Sequence, residues 1–282
     1  MPTVTFFLLR FSKLGRLLAA LVVGLAAAGC ELVEYSPNET RTTEEYRDLT
    51  RKNLEALARQ PVPTGGDTLR FVFTGDAQRF YEQAEELVRS VNQQRGIAFV
   101  AVAGDISDYG LIRELRWMHD KLRHLRVPYL TVVGNHDHAA NGRENYQQVY
   151  GPLNDSFRYA DTQFVLVDTN GREYNFNGQV PDVAWVRSQL ADSAGVRRQV
   201  VMSHVPPMDG DFDKQLEYPY TQALSTAPKV MMQLNGHRHG FSETRPYEGS
   251  IPYVTSASFI KNEYVIVTLW GEREYRLEKV PF

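Results

Sequence analysis

Hydrophobic and polar positions change rhythm repeatedly along the chain, and each change predicts an element. Leu69 to Thr74 is a short β-rich apolar run, and Gln78 to Gln94 after it has helical spacing. Ile97 to Ala103 is a second strand, Leu111 to about Leu125 a second helix, and Val127 to Val133 a third strand. Further strands are expected at Phe164 to Asp168, Gln199 to Ser203 and Val230 to Asn235, with an amphipathic helix around Asp182 to Leu190. The tail then loses its helices: Tyr253 to Ala257, Tyr264 to Trp270 and Tyr275 to Val280 read as strands alone. Strands alternating with helices point to parallel βαβ units, and the terminal run to an antiparallel addition. Ahead of this body, Glu31 to Asp67 is polar, with one helix expected over Thr43 to Arg59 and a break at Pro61-Val62-Pro63-Thr64-Gly65-Gly66.

The first thirty residues have a different character. Arg10, Lys13 and Arg16 stand without any acidic residue before position 30, and an apolar run from Leu17 to Ala28 follows. That run falls short of the roughly 20 residues that span a bilayer, and small residues end it, as in a secretory signal peptide. Ala27-Ala28-Gly29-Cys30 resembles a bacterial lipobox, in which the cysteine becomes a lipid-bearing N-terminus. The expected organisation is therefore a signal segment over 1–29, a tether with its helix over 30–67, and one catalytic-sized domain over 68–282. The expected location is the bacterial cell envelope, periplasmic or cell-surface, with the membrane reached through lipid on Cys30.

Composition narrows the class without naming it. The 282 residues are 43% hydrophobic and 23% charged, as in an ordinary globular protein. The net charge is −3 and would become −6 on loss of the three early cations, so a nucleic-acid partner is not expected. Cys30 is the only cysteine, which excludes an intrachain disulfide and a thiolate zinc site.

Chemistry gathers at the ends of the predicted strands. The blocks are Gly75-Asp76-Ala77-Gln78, Gly104-Asp105-Ile106-Ser107-Asp108, Gly134-Asn135-His136-Asp137, Ser203-His204 and Gly236-His237-Arg238-His239. In open α/β sheets, loops at the carboxyl ends of strands converge on one crevice. Carboxylates, an amide and imidazoles form the mixed oxygen and nitrogen set that Zn, Mn and Fe accept. Any one of these residues alone would be an ordinary turn former.

In that order the five blocks resemble the calcineurin-like metallophosphoesterases, over about residues 69–270. The run from Glu34-Tyr35-Ser36-Pro37-Asn38 through Asp105 to Tyr109 looks like a bacterial lipoprotein branch of that family. The resemblance implies a four-layer α/β/β/α sandwich and two divalent metal ions, Mn, Zn or Fe. It makes Asp105 the carboxylate shared by both ions. Asp76, Gln78 and His239 would complete the first site, and Asn135, His204 and His237 the second. His136 corresponds to the active-site histidine and Asp108 to the partner that orients it. The implied reaction is hydrolysis of a phosphomonoester or phosphodiester, on a phosphorylated small molecule or lipid. Two cations roughly 3.5–4 Å apart can share a hydroxide and clamp phosphoryl oxygens during in-line attack. The alternative is a lipid-anchored protein that binds a phosphate ligand with weak or no turnover. The oligomeric state is left open.

Two positions depart from the common pattern. Gln78 stands where a histidine is usual, and an amide oxygen is a weaker donor than an imidazole nitrogen. Tyr109 stands where protein phosphatases of the family carry arginine, which speaks against a phosphoprotein substrate. Outside the blocks, His119 and His124 read as surface histidines, His138 as a loop residue close to the site, and Arg238 as facing solvent. Most of the 15 tyrosines are expected in cores and on sheet faces, with Tyr109, Tyr146 and Tyr218 able to reach the cleft.

Overall fold

In a computed structural model of the chain, residues 39–61, 68–248 and 251–282 are described. The signal segment, Cys30 and most of the break after Gln60 lie outside them. Strand β1 (Leu69–Thr74) shows how the layers arise. Side chains alternate along a strand, so Leu69, Phe71 and Phe73 enter one hydrophobic cluster while Val72 enters another. A strand buried on both faces reads as a continuous apolar run, which is what the sequence has here.

The first sheet runs β11-β10-β1-β2-β3, using β2 (Val100–Val102), β3 (Tyr129–Thr131), β10 (Glu263–Trp270) and β11 (Glu274–Pro281). β1, β2 and β3 are parallel, and the β10–β11 hairpin adds antiparallel to β1. The second sheet runs β4-β5-β6-β7-β9-β8. Its strands are β4 (Asp155–Tyr159), β5 (Thr162–Val167), β6 (Arg198–Ser203), β7 (Val230–Asn235), β8 (Ser242–Thr244) and β9 (Tyr253–Thr255).

The sheets meet face to face over a cluster that includes Phe71, Phe99, Phe157 and Phe164. Phe71 and Phe99 stack at 5.0 Å, and Phe164 stands edge-on to both at 5.5 and 5.2 Å. Each such aromatic contact stabilises the sheet pair by about 0.5–1.5 kcal/mol beyond its buried area. Helices α2 (Tyr81–Val91), α3 (Ile112–Leu122) and α4 (Gly142–Val149) cover the outer face of the first sheet. Helices α5 (Val183–Ala191) and α6 (Lys214–Thr226) cover the second. The order of layers is α/β/β/α, as the resemblance implied.

Several details differ from the sequence reading. The helix expected over Thr43–Arg59 is a 3-10 turn at Glu44–Tyr46 followed by α1 (Leu49–Ala58). The break falls at Asp48, whose backbone is left-handed, with φ 51°. The strand at Tyr253 is not part of the antiparallel tail: β9 lies parallel to β7 in the second sheet. Helix α6 escapes the periodicity because Pro219 interrupts it, and α4 because its eight residues are short and polar. Strands β4 and β8 were not anticipated, since half-exposed edge strands carry little apolar signal. Among the described residues, no helix is long and apolar enough to cross a membrane.

One buried cation ties the sheets together at the end remote from the strand carboxyl termini. Arg198 opens β6 and is fully buried. It donates Nε to Thr162 Oγ1 at 2.8 Å, Nη2 to Asp161 Oδ1 at 2.6 Å, and Nη1 to the Gly271 carbonyl, in the β10–β11 turn, at 2.7 Å. Removing one partner of a buried charged network strands the others. Arg198→Met is expected to lower unfolding free energy by roughly 2–4 kcal/mol, discounted for the partial exposure of Asp161. Urea denaturation measures this, and an unchanged midpoint would show the clamp to be dispensable.

Candidate metal centre

Both sheets present strand carboxyl ends to one edge. Asp76 follows β1, Asp105 follows β2, Asn135 follows β3, His204 follows β6 and His237 follows β7. The glycines that open the blocks leave room for neighbouring site residues. A Cβ on Gly134 would lie 2.1 Å from Asp105 Oδ1, and one on Gly104 would lie 2.6 Å from His204 Nδ1. Asp76, Gln78, Asp105, His237 and His239 all have positive φ, between 41° and 73°. Such backbone costs of order 1–3 kcal/mol per residue and persists where the surrounding structure enforces it.

Asp105, buried, stands between two groups of donors. On one side its Oδ2 accepts from Gln78 Nε2 at 3.4 Å. Asp76 belongs to the same group, with His239 Nε2 at 3.3 Å from its Oδ1. On the other side Asp105 Oδ1 lies 3.3 Å from His204 Nε2. There Asn135 Oδ1 lies 2.9 Å from His204 Nε2 and 3.0 Å from His237 Nδ1. Ligand atoms of Asp76, Asp105 and His204 all fall within 4.8 Å of one another. All seven residues read as metal ligands are thus brought to one place. Their oxygen donors, Asp76, Gln78, Asp105 and Asn135, come from the first sheet, and the three imidazoles from the second.

Electrostatics test whether this set suits a cation. His204 Nδ1 lies 2.6 Å from the Ala103 carbonyl, so that nitrogen carries a proton. In the neutral ring the Nε2 lone pair then faces Asn135 Oδ1 and Asp105 Oδ1, acceptor against acceptors. Burial alone would lower the His204 pKa, but the Asp105 carboxylate, with help from Asp76 and the Ala103 carbonyl, raises it to about 10. A second proton thereby takes the position that a cation would fill. His239 is raised chiefly by its hydrogen bond to Asp76. Carboxylates that hold protons on nearby imidazoles, in a mixed oxygen and nitrogen set, fit a borderline divalent metal.

His136 lies beside this set, its backbone N–H donating to Asp105 Oδ1 at 3.0 Å. Its Nδ1 donates to the Asp108 backbone carbonyl at 2.8 Å and lies 3.6 Å from the Asp108 carboxylate. Orientation by Asp108 therefore runs mainly through the main chain. The carboxylate instead accepts from Arg79 Nη1 at 2.8 Å. Arg79 follows Gln78 directly and was not singled out, because a lone arginine beside a helix start carries no pattern.

Other residues were missed for similar reasons. Asp137 is fully buried and accepts from Ile106 N, Ser107 N, Ser107 Oγ and Gly134 N, which pins two of the loops together. His138 is more than a loop residue: its largely buried ring lies 3.7 Å from Asp168, which also accepts from Tyr174 and Asn170. Arg238 is exposed, as expected, and donates to Asp209 Oδ2 at 2.9 Å. His119 is not a surface histidine. It is half-buried against Tyr129 Oη at 2.7 Å, and burial pushes its pKa down to about 4. His124 is exposed, as expected. Tyr146 is buried against Thr131 and does not reach the cleft, whereas Tyr109 and Tyr218 are exposed.

Comparison with known proteins agrees with this geometry. Over 167 residues the chain is 27% identical to the glycerophosphodiester phosphodiesterase GpdQ of Enterobacter lignolyticus (strain SCF1). That match covers 54% of this chain and 59% of the relative, so the chain spans less than two thirds of the relative's length. A dimetal phosphatase from Danio rerio superposes with a TM-score of 0.61 at 15% identity, over 76% of this chain and 99% of that one. The purple acid phosphatase PPD1 from yellow lupin (Lupinus luteus) seeds gives 0.59 at 14% identity, over 78% and 52% of the two chains. At such identities these two structures share the fold. A profile of the calcineurin-like phosphoesterases matches residues 69–241, taking in every strand-end block from Asp76 to His239 over more than half of the chain, and the protein belongs to that family.

Proposed function

We propose that the protein is a dinuclear metal-dependent hydrolase of phosphate esters, attached to the bacterial cell envelope through lipid on Cys30. The observation that carries the reading is the position of Asp105, whose two carboxylate oxygens face different donor groups. Asp76, Gln78, His239 and Asp105 would hold one ion; Asn135, His204, His237 and Asp105 would hold the other. Bound there, two divalent ions supply Lewis acidity toward phosphoryl oxygens and make water acidic enough to attack near neutral pH.

The remaining work belongs to this chain's own groups. With its Nδ1 proton given to the Asp108 carbonyl, His136 keeps Nε2 free for the substrate. In the protonated ring Nε2–H can donate to the departing oxygen. Arg79, two-thirds exposed and using one N–H on Asp108, has further donors for a phosphoryl oxygen. The relative's name favours a diester substrate. Gln78 gives some support to the rival reading, a phosphate-binding protein with weak turnover, because an amide is a poor metal ligand.

Four outcomes are expected. Chelation abolishes hydrolysis of p-nitrophenyl phosphate and bis-p-nitrophenyl phosphate, and Mn, Zn or Fe restores it. Asp105→Asn loses at least about 100-fold in activity and weakens both ions at once; full activity in a metal-free preparation would discard the mechanism, and phosphate binding without turnover would select the rival.

Gln78→His is expected to tighten the first ion by about tenfold, ~1.4 kcal/mol, because imidazole nitrogen is the stronger donor. Calorimetric titration of both proteins reads this, and equal affinities would show that position 78 does not limit binding.

Cys30→Ser is expected to release the protein from membranes or leave it unprocessed. Acylation contributes ~0.8 kcal/mol per buried CH₂, so its loss is decisive for attachment. A variant that fractionates and migrates like wild type would remove the anchor from the proposal.

A further inference from the structure

The loop between β6 and α6 carries three carboxylates that none of the strand-end blocks includes, and two of them face His237. Asp209 Oδ1 and Asp211 Oδ2 each lie 3.5 Å from His237 Nε2. The opposite edge of that ring, Nδ1, lies 3.0 Å from Asn135 Oδ1. A neutral imidazole has one proton and one lone pair, on different nitrogens. Two anionic oxygens at equal distance favour the N–H on Nε2 and repel a lone pair there. With the proton on Nε2, the Nδ1 lone pair converges with those of Asn135 Oδ1 3.0 Å away, as two ligand atoms of one ion would.

His204 shows the same device with the nitrogens exchanged. The Ala103 carbonyl holds its Nδ1 proton, which leaves Nε2 facing Asn135 Oδ1 at 2.9 Å. Each imidazole of this half of the centre thus has an acceptor on its far edge that selects the tautomer and fixes the ring plane. Such far-edge partners typically change metal affinity 10–100-fold.

The acid pair is itself held in place. Arg238 Nε donates to Asp209 Oδ2 at 2.9 Å, and Arg172 Nη1 to both oxygens of Asp211 at 3.0 and 3.1 Å. The Asp211 backbone N–H also donates to Asp209 Oδ1 at 3.2 Å. Two arginines on two carboxylates offset their charge, which disfavours a further cation between them and leaves the imidazole N–H as the group they serve. We infer that Asp209 and Asp211 are positioning residues for His237, directing its Nδ1 into the metal centre and setting the affinity of the second ion. This rests on the metal-dependent reading above.

The test is calorimetric titration of the metal-stripped chain with Mn, beside turnover of bis-p-nitrophenyl phosphate at limiting and saturating Mn. In the Asp209→Ala/Asp211→Ala double variant, one of the two binding events should weaken by about 10–100-fold while the other is unchanged. Turnover should fall at limiting Mn and recover at saturation. Asp209→Asn/Asp211→Asn, which keeps accepting oxygens, should recover part of the lost affinity. Arg172→Met/Arg238→Met removes the same ion pairs but keeps both carboxylates beside His237, and should lose less affinity than the alanine double variant.

Wild-type affinity in the alanine double variant overturns the inference. So does an equal loss in the arginine variant, which would mean that only the integrity of the loop matters. A third Mn in wild type that the alanine variant loses would make the acid pair a binding site instead. A wild type that binds Mn but hydrolyses nothing defeats the hydrolase reading and leaves this one standing; one that binds no Mn defeats both.

Discussion

The centre depends on room for one carboxylate. Asp105 sits where the ends of both sheets come together, 3.4 Å from Gln78 on one side and 3.3 Å from His204 on the other. A methyl group on Gly134 would occupy that place, and one on Gly104 would strike the His204 ring. Strand must therefore turn into loop without a side chain at these points. The remaining loop contacts follow from this packing. Gly236 N–H donates to the His204 carbonyl, and Asp137 collects donors from two loops that would otherwise separate.

Backbone conformation is part of the same arrangement. Five of the seven residues read as ligands have left-handed φ, and none of them is glycine. In that conformation the direction of a donor is set largely by the main chain, so little rotamer freedom is lost when an ion binds. The strain is offset by the two-sided core beneath, where the phenylalanine cluster and the fully buried strands make the sheet ends hard to move.

Much of this was legible in the sequence. β1 and β7 fall on the expected residues, because a strand buried on both faces is a bounded apolar run. Five of the seven ligand candidates, Asp76, Asp105, Asn135, His204 and His237, come at the end of such a run directly after a glycine or a serine, and Gln78 and His239 stand two residues further on. What was illegible had no local pattern. Pro219 hid α6, and the parallel placement of β9 depends on a partner some twenty residues away in sequence. Arg79, Asp168, Asp209 and Asp211 are common residues in ordinary loops, and only the fold gives them neighbours. His119 looked exposed because arginines flank it in sequence, while helix α3 turns that position inward toward Tyr129.

The division of donor atoms between the two sheets has a consequence for metal preference. The first sheet by itself offers an all-oxygen bowl, the environment that magnesium and calcium favour. Nitrogen arrives only from the opposite sheet, and mixed nitrogen and oxygen sets are what manganese, iron and zinc accept. On the proposed reading, metal choice is thus a function of the spacing between two slabs of protein. That spacing is held by the phenylalanines between the sheets and by Arg198, none of which belongs to the donor set. Selectivity can therefore drift through substitutions in the core, with every ligand left in place.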